Sequence, residues 1–149
     1  MANKTDDHSA TSIGGWAKRC YLAGRGMMED TLRPHGLGST QWYVLHQLTQ
    51  VGPTMQRDLV RLFEIERATV SIVVGTLVQK GLVEQIPDAS DQRQKSLCIT
   101  PAGKALWDKL PDLAFIHDAA FAGFSEKDIE TTVRVLQAAT QRLNERLKG

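Results

Sequence analysis

Residues 82–99 interrupt a chain that is otherwise patterned for helices. Two short β-prone runs, 82–86 and 96–99, flank the polar loop Pro87-Asp88-Ala89-Ser90-Asp91-Gln92-Arg93-Gln94. Such runs around a turn-rich segment read as a hairpin, here with a long charged tip. A lone hairpin is marginal in water and needs helices to pack on. The 149 residues supply about one domain's worth of chain. With 42% apolar and 23% charged residues, the composition is that of a globular protein. It excludes a disordered chain, a collagen and a disulfide-dense mini-protein.

Helical segments surround the hairpin. Thr11 or Ser12 can cap a first helix whose apolar stripe is Ile13, Trp16, Cys20 and Met27. Gly24 and Gly26 within it suggest close packing or room for a ligand. Pro34, Gly36 and Gly38 end it. Ser39 is expected to cap a second helix with Trp42, Leu45 and Leu48 inward, stopped by Gly52-Pro53. Thr54 is expected to cap a short third helix with Met55, Leu59 and Leu62 inward. A fourth helix spans 67–80 on the stripe Val70, Val73, Val74 and Leu77, and Gly81 takes the left-handed position after it. Beyond the hairpin, Thr100-Pro101 supplies an N-cap and a first-turn proline. A fifth helix should run from there towards Phe121, bent at Pro111, and Gly123 should break it. Ser125 caps the last helix, with Asp128 three residues on.

That last helix has the cleanest period. Ile129, Val133, Leu136, Thr140, Leu143 and Leu147 follow 4-3-4-3-4 spacing, the a/d pattern of a coiled-coil seam. Three heptads are short for a free-standing coiled coil, so the seam reads as part of a helical dimer layer. The plainer alternative is a helix packed on its own domain.

Charge alone does not point to nucleic acid. Eighteen Lys and Arg stand against seventeen Asp and Glu, spread evenly along the chain. Cys20 and Cys98 lie far apart without a C-x-x-C pair, which suggests free thiols in a reducing compartment. The first twelve residues hold no hydrophobic block, so no signal peptide is expected and a cytoplasmic location is.

Helix, short turn, helix and hairpin is the order of a winged helix-turn-helix. The fourth helix can lie in a major groove. Opposite its apolar stripe a helical wheel sets Ala68, Ser71, Ile72, Gly75, Thr76 and Gln79, with Arg67 and Thr69 flanking its start. A solvated surface is the bland reading, but Ile72 on a wet face then lacks a reason. At the hairpin tip, Arg93 can enter a minor groove, Asp91 can hold its guanidinium, and Lys95 can reach a phosphate. A lone Asp-x-Arg is more often a surface ion pair.

In combination these segments resemble the MarR family of bacterial transcription regulators. The resemblance rests on Glu66-Arg67-Ala68-Thr69-Val70-Ser71, Lys80-Gly81-Leu82-Val83-Glu84, Asp91-Gln92-Arg93-Gln94-Lys95 and Leu97-Cys98-Ile99-Thr100-Pro101-Ala102-Gly103-Lys104. Gly38-Ser39-Thr40-Gln41-Trp42-Tyr43-Val44-Leu45 resembles the family's second-helix opening, and the likeness spans roughly residues 12–147. It implies a homodimer on a pseudo-palindromic operator, with 12–33 and 101–147 as the dimerisation layer and 39–100 as the DNA-binding lobe of one 1–149 domain. It also implies a small effector, an aromatic acid or related thioester, between layer and lobe. Two residues depart from the pattern. Ile72 stands where many members carry a basic residue, and Ala17 where peroxide-sensing members carry a reactive cysteine. Cys20, one turn away, reads first as a small core residue.

No H-E-x-x-H, P-loop, G-x-S-x-G or G-x-G-x-x-G occurs, so no enzyme is expected. His8, His35, His46 and His117 lack metal-type spacing, so neither metal nor cofactor is expected. Aromatic walls with one or two cations suit an aromatic carboxylate. The candidates are Trp16, Arg19, Tyr21, Arg25, His35, Trp42 and His46, although a tryptophan at helical spacing is more often core. Expected DNA contacts are Arg67, Ala68, Thr69, Ser71, Ile72, Thr76, Asp91, Arg93 and Lys95. Expected dimer contacts are Ile13, Ile129, Val133, Leu136, Leu143 and Leu147. The sequence thus reads as a mainly α, winged helix-turn-helix, ligand-responsive repressor. The alternative is a helical protein-interaction module without DNA binding.

Overall fold

The computed structural model describes residues 12–149. The expected polar lead, with His8 and the alternative cap Thr11, lies outside the described residues. Contacts divide the chain into a unit that ends at Leu113 and a second, Ala114–Gly149.

In the first unit, α1 runs Ile13–Leu32 and starts on Ser12, whose hydroxyl accepts the Gly15 amide at 3.0 Å. A 3-10 turn, Arg33–His35, closes on Gly36 in the left-handed region. Helix α2 is Ser39–Gln50. Ser39 is its first helical residue and Gly38 is the cap, correcting the expected role. The Ser39 hydroxyl and amide instead donate to Glu29 Oε1, at 2.7 and 3.1 Å. The Gln41 side chain accepts the Gly38 amide at 3.2 Å.

Thr54 does not cap the next helix. Thr54–Met55 forms a two-residue strand, β1, and α3 follows at once as Gln56–Phe63. Leu59 is fully buried as expected, but Leu62 is 55% exposed, a second correction. Eight residues make little more than two turns, so only one stripe faces inward. Helix α4 is Arg67–Gln79, held by buried Val70, Val74 and Leu77, with Gly81 at φ +76° beyond it.

Strands β2 (Val83–Pro87) and β3 (Lys95–Ile99) form the expected hairpin. It is one strand richer than the sequence suggested. The antiparallel order is β1-β3-β2, with Thr54 opposite Leu97 and Gln85 opposite Leu97 on the other side. Helix α5, Pro101–Lys109, starts on Thr100, whose hydroxyl accepts the Gly103 amide at 3.0 Å and donates to the Gly81 carbonyl at 2.6 Å. The core joins Leu32, Leu37, Val44, Leu45, Leu48, Leu59, Val70, Val74, Leu77, Leu82, Val83 and Leu97. Burying such side chains contributes about 1.5–3 kcal/mol each, which outweighs the weak propensity of short helices.

The fifth helix is broken rather than bent. It ends at Lys109, and α6 begins afresh as Ala114–Phe121 in the second unit. Leu110 is extended ahead of Pro111, because the residue before a proline is steered out of the helical region. Gly123 at φ +87° ends α6, and α7 is Glu126–Lys148, with the Ser125 hydroxyl accepting the Asp128 amide at 3.1 Å. No residue of Ala114–Gly149 is buried.

The α1 stripe also departs from expectation. Ile13, Trp16, Cys20 and Met27 are all exposed, so Cys20 is not a core residue of the chain. A Cβ built on Gly24 or Gly26 would meet nothing within 4 Å. Both cysteines are free thiols.

Candidate nucleic-acid interface and effector residues

Helix α4 buries one face and offers the other to solvent. Arg67, Ala68, Thr69, Ser71 and Ile72 are exposed, and Thr76 is half-buried. Ile72 stands out, a branched apolar side chain 70% exposed between Ala68, Gly75 and Thr76. The Thr76 hydroxyl donates to the Ile72 carbonyl at 3.0 Å, which spends that hydroxyl's hydrogen within the helix. Small neighbours let a flat or grooved surface come close to the helix axis.

The loop between β2 and β3 is tied by its own backbone. The Asp88 amide donates to the Gln94 carbonyl and the Gln94 amide to the Asp91 carbonyl, at 2.9 and 3.0 Å. Asp91 Oδ1 accepts the Arg93 amide and Nε, both at 3.1 Å, and Oδ2 accepts Nη2 at 3.4 Å. These bonds hold the Asp91 carboxyl below its usual pKa, the side-chain bond from Arg93 contributing most. Arg57 of α3 pulls in the same direction. The Arg93 side chain is 91% exposed, and Lys95 is exposed at the start of β3. The wing therefore presents an oriented cation, with Arg57 nearby. Sequence reasoning missed Arg57 because only the fold carries the start of α3 to the wing.

The effector candidates fall into clusters. On α1, the Arg19 guanidinium lies 5.1 Å from the Trp16 ring centre, and Tyr21 is exposed. Arg25 is 3.8 Å from Glu29, whose carboxyl sits below its usual pKa chiefly through the Ser39 hydroxyl. His35 is half-buried in the 3-10 turn. On α2, Trp42 and His46 stack at 4.9 Å and 15°, and both approach Trp107 of α5, at 5.4 and 5.8 Å. Trp107 was not singled out from the sequence, although a tryptophan on the helix after the wing was the available signal. Of the dimer candidates, Ile129 and Leu136 are half-buried, while Ile13, Val133, Leu143 and Leu147 are exposed.

The model of the MarR family matches residues 35–94, from the 3-10 turn through the wing tip. A solved probable transcriptional regulator from Pseudomonas aeruginosa is 30% identical, covering 87% of this chain and 97% of that one, with a TM-score of 0.72. The chain belongs to the MarR family. BpsR of Bordetella bronchiseptica, solved in a study of how 6-hydroxynicotinic acid regulates its DNA binding, is 26% identical over 86% of this chain and 98% of that one, with a TM-score of 0.74. The transcriptional activatory protein BadR of Rhodopseudomonas palustris is 28% identical over 108 residues, and the match spans 68% of this chain but only 61% of BadR. MarR-family members are transcription regulators rather than enzymes, and they bind operator DNA as dimers. Among the described residues, no group of three or more His, Cys, Asp or Glu is placed to hold a metal ion, and no helix is long and apolar enough to cross a membrane.

Proposed function

We propose that this MarR-family chain is a ligand-responsive repressor. As a homodimer it holds a pseudo-palindromic operator through α4 and the wing, and a small aromatic acid or related thioester releases it. The observation that carries this reading is the pairing of two DNA-sized features. One is the exposed Ile72 face of α4, and the other is Arg93 held by Asp91 at the end of a thin hairpin. In this reading Arg67, Ala68, Thr69, Ser71, Ile72 and Thr76 meet the major groove, while Arg93 and Lys95 meet the minor groove and phosphates.

The dimer is supported by what the second unit lacks. Helices α6 and α7 leave Phe115, Phe121, Val133, Leu143 and Leu147 exposed, and the turn between them leaves Phe124 exposed. Apolar faces of that extent mark an interface, and the heptad spacing suits a second copy of the same helix. The effector class is supported by the Trp42, His46 and Trp107 rings, by Arg19 on Trp16, and by the aromatic acid that regulates BpsR. BadR's name supports a second reading of the sign, activation.

Fluorescence titration of random duplex DNA across a salt series tests the DNA reading. Affinity should fall steeply with salt, because bound cations release counterions. A thermal-shift screen of aromatic acids and their thioesters tests the effector class, since a ligand of the native state raises apparent stability. Arg19→Ala should weaken ligand-induced release and leave ligand-free DNA affinity near normal. A promoter reporter with and without the regulator reads repression against activation.

A further inference from the structure

Three side chains from three elements meet where the sheet passes into α3. Gln85 Nε2, on β2, donates to Gln56 Oε1 at 2.9 Å. Gln56 Nε2 donates in turn to Ser71 Oγ on α4, at 3.4 Å. Gln56 and Gln85 are half-buried, and Ser71 is exposed on the solvent face of α4.

The backbone fixes Gln56 to the same sheet. Residues 54 and 55 are β1, and their partners on β3 are Leu97 and Ser96. The Thr54 hydroxyl donates to the Gly52 carbonyl at 2.9 Å, which holds the turn that feeds the strand. Gln56 follows directly as the first residue of α3. Its main chain is therefore tied to one wing strand, and its side chain to the other wing strand and to α4.

We infer that Gln56 is a positioning residue that sets the reach of the wing relative to the recognition helix. The inference rests on the DNA reading proposed above, and Gln56 itself touches no base or phosphate in it. The primary amide suits this role. It accepts on one atom and donates on the other, so one side chain joins a donor on β2 to an acceptor on α4. A specific site demands that α4 and the wing fit their two grooves together. Non-specific phosphate contact tolerates a looser relation between them. Gln56 thus bears on sequence discrimination more than on general affinity.

The test uses the full chain and a duplex that the wild-type protein selects from a random pool, with a scrambled version as control. The wild type is read first. If it binds neither duplex in a salt-dependent way, the DNA reading fails and this inference with it. Given wild-type binding, Gln56→Leu should lower the ratio of selected to scrambled affinity about tenfold. Its scrambled affinity, salt slope and Tm should match the wild type. Gln85→Leu should act in the same direction, and the double variant should be no worse than Gln56→Leu alone, because the two share one link. If Gln56→Leu does not fold, Gln85→Leu carries the comparison. An unchanged ratio overturns the inference while leaving the DNA reading standing. A salt slope reduced by about one unit would make Gln56 a backbone contact instead. A lower Tm with equal losses on both duplexes would make it merely structural.

Discussion

Gly103 lies against the Leu82 carbonyl, so close that a Cβ on it would overlap that oxygen and come within 2.8 Å of Ile99 Cγ1. The Thr100 amide donates to the same carbonyl at 3.1 Å. The run Thr100-Pro101-Ala102-Gly103 therefore combines a cap, a proline whose missing N–H costs nothing in the first turn, and a glycine that lets α5 seat on the hairpin. Backbone cannot yield as a flexible side chain does. Gly103→Ala should destabilise the chain by roughly 1–3 kcal/mol, read as a Tm several degrees lower, while Ala102→Ser at the exposed neighbour should change little. An unaltered Tm for Gly103→Ala would place α5 further from the hairpin.

Glu29 carries a pH-dependent contribution. The Ser39 hydroxyl, then the Ser39 amide, hold its carboxyl below the usual value of 4.5, with Arg25 and Arg33 adding to the effect. A carboxyl with a lowered folded pKa binds fewer protons folded than unfolded. Its stabilisation is complete above the unfolded value and is lost as pH falls through the folded one. Its side chain is 37% exposed, so solvent keeps the contribution under about 1 kcal/mol. Glu29→Gln should therefore lower Tm slightly at neutral pH, and the gap from wild type should close as pH falls well below 4.5. Thermal melts across that range check this, and a constant gap would contradict it.

Leu143→Asp tests the proposed dimer. On the isolated chain Leu143 is 63% exposed, so a carboxylate there would stay solvated and the fold would survive. In an intersubunit seam the same charge is desolvated without a partner, at a cost of several kcal/mol. Sedimentation should show monomer, with duplex binding lost. An intact dimer that binds DNA normally would remove the seam from the interface.

What the sequence disclosed was local. Ser12, Gly81, Thr100-Pro101 and Ser125 were legible because caps and left-handed glycines act within a few residues. The α4 stripe was legible because its apolar period is clean, and the wing because turn-rich polarity separates two β-prone runs. What it hid was long-range. β1 is two residues long and exists only by pairing with Leu97 and Ser96. Ser39 was misread because its partner, Glu29, lies on the preceding helix. Gln56, Arg57 and Trp107 carry no motif and gain significance only from the elements the fold sets beside them. The exposed α1 stripe shows that an apolar period marks one face of a helix and does not by itself bury that face within the chain.

Salt slopes of Arg93→Ala and Ile72→Ala on selected and scrambled duplexes separate a wing that neutralises phosphates from a helix that reads bases. Counterion release counts neutralised phosphates. Arg93→Ala should weaken binding to both duplexes and reduce the slope by about one unit. Ile72 is uncharged, so in the proposed reading it can act only by apolar contact, as with a thymine methyl. Ile72→Ala should leave the slope unchanged and erode preference at one position of each half-site. A changed slope for Ile72→Ala, or intact binding for Arg93→Ala, would contradict the assignment of α4 to the major groove and of the wing to the minor groove.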